Sequence, residues 1–114
     1  MSGLPFQVEV ITKGTGTQRP NKGDAIEAHY DGMFPDGRPF DSSRKRGKPF
    51  KFNVGVGNVI KGWDMVMLTM VEGDRVKITL PPEYAYGSTG AGGVIPPNAT
   101  LVFDMELLKI IPKK

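Results

Sequence analysis

The sequence predicts an α+β fold in which an antiparallel sheet of about five strands wraps round one short helix. Five segments alternate apolar and polar residues with the period of a half-buried strand. A single segment carries an apolar stripe at helical spacing. The 15 glycines and 10 prolines among 114 residues favour many turns over long helices.

Phe6-Gln7-Val8-Glu9-Val10 is the first alternating run, and turn residues follow through Pro20-Asn21-Lys22-Gly23. Ile26-Glu27-Ala28-His29-Tyr30 places Ile26, Ala28 and Tyr30 on one face. Asp36-Gly37 marks a tight turn. Phe50 to Val54 and Val76 to Leu80 are the third and fourth strands. Thr100 to Leu108 is the fifth, with Leu101, Phe103, Met105 and Leu107 on one side. Between them Ile60, Trp63, Met67 and Met70 form the helical stripe, and Gly73 suits a left-handed cap that ends it. Met65 and Leu68 lie off that stripe, where they are normal surface residues or mark a partner surface. The stretch from Pro81 to Pro97 is rich in proline and glycine yet carries Tyr84 and Tyr86; loops of this length are often functional. Residues 1–114 read as one domain with its core over about 6–109.

The absence of cysteine excludes disulfides, zinc–thiolate sites and thiol catalysis. Met1-Ser2-Gly3-Leu4-Pro5 has neither the basic nor the apolar region of a secretory signal, so a cytosolic location is expected. The longest apolar stretch, Met65 to Val71, is far below the roughly 20 residues of a membrane helix. A net charge of +3 is mild for a nucleic-acid binder. No metal and no cofactor are expected.

Some signals lead nowhere. Gly55-Val56-Gly57 resembles the start of a dinucleotide loop, but Ile60 stands where its third glycine should be. Arg44-Lys45-Arg46-Gly47-Lys48 reads first as a solvated loop and second as a contact for phosphates or an acidic partner. Asn98-Ala99-Thr100 matches a glycosylation sequon that has no secretory signal to use it. His29, the sole histidine, alternates away from Tyr30 and is expected to face solvent.

Tyr30, Phe40, Phe50, Trp63, Tyr86 and Phe103 remain. Any one of them alone reads as core. As a set they come from different elements, two carry hydroxyls that need partners if buried, and Trp63 falls in the first turn of the helix. At these residues the chain closely resembles the small single-domain FK506-binding proteins, peptidyl-prolyl isomerases of the immunophilin class. The resemblance rests on Tyr30-Asp31-Gly32-Met33, Phe40-Asp41-Ser42-Ser43-Arg44, Pro49-Phe50-Lys51-Phe52 and Val59-Ile60-Lys61-Gly62-Trp63. It continues through Tyr84-Ala85-Tyr86-Gly87 and Ile95-Pro96-Pro97-Asn98-Ala99-Thr100-Leu101-Val102-Phe103.

The resemblance implies cofactor-free rotation about X–Pro bonds, with Tyr30, Phe40, Asp41, Trp63, Tyr86 and Phe103 as the catalytic set. It implies a pocket with Trp63 as floor and Tyr30, Phe50, Val59, Ile60, Tyr86 and Phe103 as walls, closed at the rim by Phe40 and Ile95. Asp41 would meet ligand or Tyr30 and Arg46, although Asp-Ser-Ser is also a good turn or cap sequence. The Ile60 N–H and the Tyr86 hydroxyl would bond ligand carbonyls. Proline-containing peptides and proteins, FK506 and rapamycin, and through these drugs further protein partners, are the implied ligands of a monomer. The loop tip Ala91-Gly92-Gly93 departs from the bulkier residues expected there. The alternative reading is a prolyl-peptide adaptor or chaperone with incidental isomerase activity.

Overall fold

The computed structural model describes residues 4–112, so Met1 to Gly3 of the N-terminal segment read above lie outside it. The chain runs β1 (Gln7–Thr12), β2 (Ala25–Met33), β3 (Pro39–Ser42), α1 (Ser43–Arg46), β4 (Phe50–Asn53), α2 (Lys61–Met67), β5 (Arg75–Leu80) and β6 (Leu101–Ile111). Six antiparallel strands form one sheet in the order β1-β5-β6-β2-β3, with β4 also paired to β2. The expected α+β arrangement is therefore present, with one strand more than expected. That strand, β3, has only four residues and half-exposes its single aromatic, Phe40, so it shows no alternation to read.

β2 is the hub. Its nine residues pair with β6 from Ala25 opposite Ile111 to Met33 opposite Val102. Its other edge is divided: β4 covers Ala25 to Ala28 and β3 covers Asp31 to Met33. In the gap the fully buried Ser43 replaces a strand. Its Oγ accepts from the Tyr30 N–H at 2.8 Å and lies 2.9 Å from His29 Nδ1. His29 is accordingly half-buried and bonded, where the alternation led us to expect open solvent. α1 follows from Ser42, whose side chain caps the Lys45 N–H, and from Gly47, which ends the turn at φ 69°.

The inward faces of β2, β5 and β6 meet α2 in a core of Ile26, Val76, Ile78, Leu80, Leu101, Met105 and Leu107, all fully buried. β1 lies at the sheet edge, and a register shift after Val10 leaves Val10 and Ile11 over two-fifths exposed, against the alternation read there. α2 ends at Met67, earlier than its stripe suggested. The Thr69 hydroxyl takes the Val66 carbonyl at 2.7 Å, and Thr69 and Met70 N–H groups reach back only three residues. Met70 is still buried. Gly73, expected as the cap, instead turns the chain into β5 at φ 92° and donates to the Leu107 carbonyl. Leu68, read as a surface residue, packs against the core.

α2 can lie this close because Gly62 has no side chain. A Cβ there would come within 2.5 Å of both methyls of Leu80, which is fully buried. Gly62→Ala gains about 1 kcal/mol of helix propensity, yet overpacking costs about 1–3 kcal/mol. We expect the clash to win, so urea unfolding of Gly62→Ala should show a lower midpoint with an unchanged slope.

Candidate functional site

Where α2 meets the sheet, a cavity of about 420 Å³ opens to solvent. Such a volume suits a small ligand or a peptide side chain. Tyr30 comes from the middle of β2, Phe40 and Asp41 from β3, Phe50 from β4 and Phe103 from β6. Trp63 rises from the first turn of α2. Asn58, Val59 and Ile60 close one side, and Tyr86 approaches from the loop after β5. The six aromatics singled out in the sequence thus converge, and Asn58 joins them unforeseen. A polar residue after Gly57 has the look of an ordinary turn, so no signal pointed to it.

Trp63 lies beneath the cavity at 7% exposure, with ring centroids 4.7 Å from Tyr30, 5.2 Å from Phe103, 5.9 Å from Phe50 and 6.1 Å from Phe52. These tilted and edge-to-face distances are favourable for aromatic pairs. It belongs to the core as well as to the cavity, a double placement that its position in the first turn of the helix did not suggest. Its indole N–H is enclosed and has no acceptor among the described residues. Phe40 stands on Phe103 at 5.7 Å, and both rings approach Gly32, where a Cβ would come within 2.7 Å of Phe40.

The wall Asn58–Ile60 is shaped by a carboxylate. Asp64 accepts from the Gly55 N–H at 2.9 Å and the Gly57 N–H at 3.0 Å. Both glycines sit at φ 80°, a conformation that L side chains rarely adopt. The pair that resembled the start of a dinucleotide loop therefore wraps a side chain of the helix that follows it. The Ile60 N–H, just before α2, has no acceptor among the described residues.

Polar groups at the opposite rim satisfy one another. The Tyr30 hydroxyl donates to Asp41 Oδ2 at 2.5 Å, and Arg46 donates to Asp41 Oδ1 at 2.5 Å and to the Tyr30 oxygen at 2.9 Å. Asp41 also accepts from the Ser42 N–H at 2.9 Å, so its turn-forming and site-facing readings both hold geometrically. Burial alone would raise the Asp41 pKa, but the bonds from Tyr30 and Arg46 outweigh it and hold the carboxyl below its ordinary range. Burial and the Asp41 bond push the Tyr30 phenol up. The bonds to Tyr30 and Asp41 raise the Arg46 guanidinium further. Tyr86 keeps 38% exposure, its hydroxyl has no bond among the described residues, and partial burial followed by the Asp41 charge raises its pKa.

Two expected residues stand apart from the cavity. Arg46 reaches it only through Asp41 and Tyr30. Ile95 does not line it: the Ala91–Ile95 bridge folds the loop back, burying Ile95 at 5% exposure beside a neighbouring cavity with Phe34 and Arg38. The two arginines of the basic run are paired, since Arg44 bonds Asp31 and Glu106 and Arg46 bonds Asp41, while Lys45 and Lys48 are exposed. Among the described residues no group of His, Asp or Glu could hold a metal ion.

This arrangement can enclose an apolar ring and offer hydrogen bonds at its edges, and the shifts of Asp41, Tyr30 and Tyr86 all lead away from neutrality. The family model described as FKBP-type peptidyl-prolyl cis-trans isomerase matches residues 16–108. The chain is 51% identical to peptidyl-prolyl cis-trans isomerase FKBP1A of Xenopus laevis and 52% identical to Fkbp12 of Drosophila melanogaster. Each alignment covers 94% of this chain and 99% of the relative. It is 48% identical to FK506-binding protein 1 of Saccharomyces cerevisiae over 91% of both chains. The crystal structure of AtFKBP13 superposes with a TM-score of 0.86 at 41% identity, covering 91% of each chain. A match that runs from the loop after β1 almost to the end of β6, joined to a shared fold, makes the chain a member of the FKBP-type peptidyl-prolyl cis-trans isomerases.

Proposed function

We propose that the isomerase activity of this chain is run from the cavity above Trp63, with the proline ring of the substrate against the indole. The observation that carries this reading is the convergence of Tyr30, Phe40, Phe50, Trp63, Tyr86 and Phe103 on one cavity. The Ile60 N–H and the Tyr86 hydroxyl, both unpaired among the described residues, bond carbonyls of the prolyl segment.

The peptide bond resists rotation by about 18–20 kcal/mol because resonance stiffens it. Midway through rotation that conjugation is lost, and the carbonyl becomes less polarised. An apolar cavity therefore favours the twisted form over the planar, dipolar one, which is differential binding without any bond being made. Exchange before proline takes tens of seconds unaided. Reaching milliseconds needs about 10⁴-fold, or roughly 5.5 kcal/mol. Loss of water, two placed hydrogen bonds and selection of a twisted conformer share that amount. Asp41 and Arg46 hold the Tyr30 ring in place and exchange no proton with substrate.

The same cavity is proposed to take FK506 and rapamycin, which supports a further reading of drug-dependent capture of protein partners. A working monomer is part of the same proposal. The lack of cysteine is compatible with the cytosolic setting proposed for the chain.

Trp63 is the sole tryptophan, so macrolide titration should change its fluorescence while abolishing turnover of a prolyl peptide in parallel. Saturating macrolide that moves neither signal would place the activity elsewhere.

The electrostatics fix a pH profile. Asp41, depressed below its ordinary value near 4, stays ionised above it, and Tyr30, raised above its ordinary value near 10, stays neutral below it. No member of the cluster titrates between, so kcat/KM should be flat from about pH 6 to 9. The Asp41 contribution to stability should be lost only as pH falls through its depressed pKa. Asp41→Asn keeps the shape and should lower turnover moderately without introducing a slope. A bell centred near neutrality in the native protein would contradict this assignment.

A further inference from the structure

The cavity above Trp63 continues past Phe50. That ring also borders a second groove of about 540 Å³, lined by Arg46, Lys48, Pro49 and Lys51. Its chemistry differs from that of the cavity: three cations stand around a floor of one aromatic ring and one proline. Arg46 is already held by Asp41 and Tyr30. Lys48 and Lys51 are exposed, and neither has an ion-pair partner among the described residues. Glu27 lies opposite Lys51 across the β2–β4 pairing, but Lys109 faces the same Glu27 from β6. One carboxylate is thus shared by two lysines without closing on either. Exposed Lys45 on α1 adds to the same sign. The groove mouth is therefore positive, with two lysines unpaired among the described residues, and it shares a wall with the cavity proposed to seat proline.

We propose that this groove is a specificity subsite that favours prolyl segments carrying aspartate or glutamate within about three residues of the proline, the reach of an extended chain across the Phe50 rim. It rests on the reading that proline occupies the cavity above Trp63. Lys48 and Lys51 act on the flanking charge and leave the rotating bond to the aromatic cavity. Exposed pairs of this kind are individually weak and screened by salt, so two lysines imply a preference of about threefold to tenfold at low ionic strength.

The test uses matched prolyl peptides with two glutamates either before or after the proline, and the same peptides with glutamine or lysine instead. Turnover and binding, the latter by Trp63 fluorescence, are measured for the native protein and for Lys48→Glu/Lys51→Glu. Lys48→Gln/Lys51→Gln serves as a milder pair should charge reversal disturb folding. One glutamate peptide should exceed its glutamine counterpart by about threefold to tenfold, and the gain should vanish at about 0.5 M salt. Either double variant should bring the glutamate-to-glutamine ratio to one or below. Equal ratios in the native protein, or a preference that survives both variants, would overturn the subsite. If glutamine peptides turn over normally without any acidic gain, the subsite falls and the isomerase cavity stands. If no peptide turns over but acidic peptides bind better at Trp63 and lose that advantage in the variants, the cavity seats proline without hastening rotation, so the catalytic reading falls and the subsite stands. If binding too is indifferent to charge, both fall.

Discussion

Everything in this site hangs on the seating of one indole between helix and sheet. Trp63 packs against Tyr30 at 4.7 Å and Phe103 at 5.2 Å, so the cavity floor is also part of the core. Gly62 beside it lets α2 approach Leu80 closely enough to bring the ring there. The indole N–H is enclosed and has no acceptor among the described residues, with the rings of Tyr30, Phe50 and Phe103 packed about the indole.

An apolar cavity at the surface must still deal with the polar groups of the strands that build it. Here each is disposed of locally. Tyr30 in the centre of β2 has its N–H on Ser43 and its hydroxyl on Asp41 and Arg46. The Gly55–Gly57 backbone spends its donors on Asp64. The charges nearest the cavity are thereby paired at its rim, which keeps the floor apolar. Ile60, whose N–H is unpaired among the described residues, and Tyr86, whose hydroxyl is likewise unpaired among them, border the cavity itself. This division between paired rim and unpaired interior is the physical basis of the proposed mechanism, and the positive groove beyond Phe50 extends it outward.

Much of this was legible in the sequence because period-two alternation and burial coincide in β2, β5 and β6. Ile26, Ala28 and Tyr30 face the core as their spacing requires. The aromatics were legible as a set because they come from separate elements yet could not all be explained as isolated packing. Other features had no local signature. β3 is too short to alternate, and Ser43 replaces a strand with a side chain, which no pattern announces. The end of α2 depends on a Thr69 hydroxyl competing with the backbone. That Ile95 lies beside the neighbouring cavity follows from the Ala91–Ile95 fold-back, a tertiary matter with no local signature. Arg46 was read correctly as a neighbour of Asp41, while the partners of Arg44 are set by the sheet register and lay beyond any reading of the basic run.

The central claim is that rotation before proline is hastened by a dry aromatic enclosure without proton transfer. The solvent deuterium isotope effect on kcat/KM for a prolyl peptide, measured on the pH plateau, addresses it directly. The account predicts a ratio of about 1, because no bond to an exchangeable hydrogen changes in the rate-limiting step. A normal effect of about 2 or more, present in the native protein and tied to Asp41 or Tyr86 by substitution, would mean that a proton moves in the transition state and would contradict it.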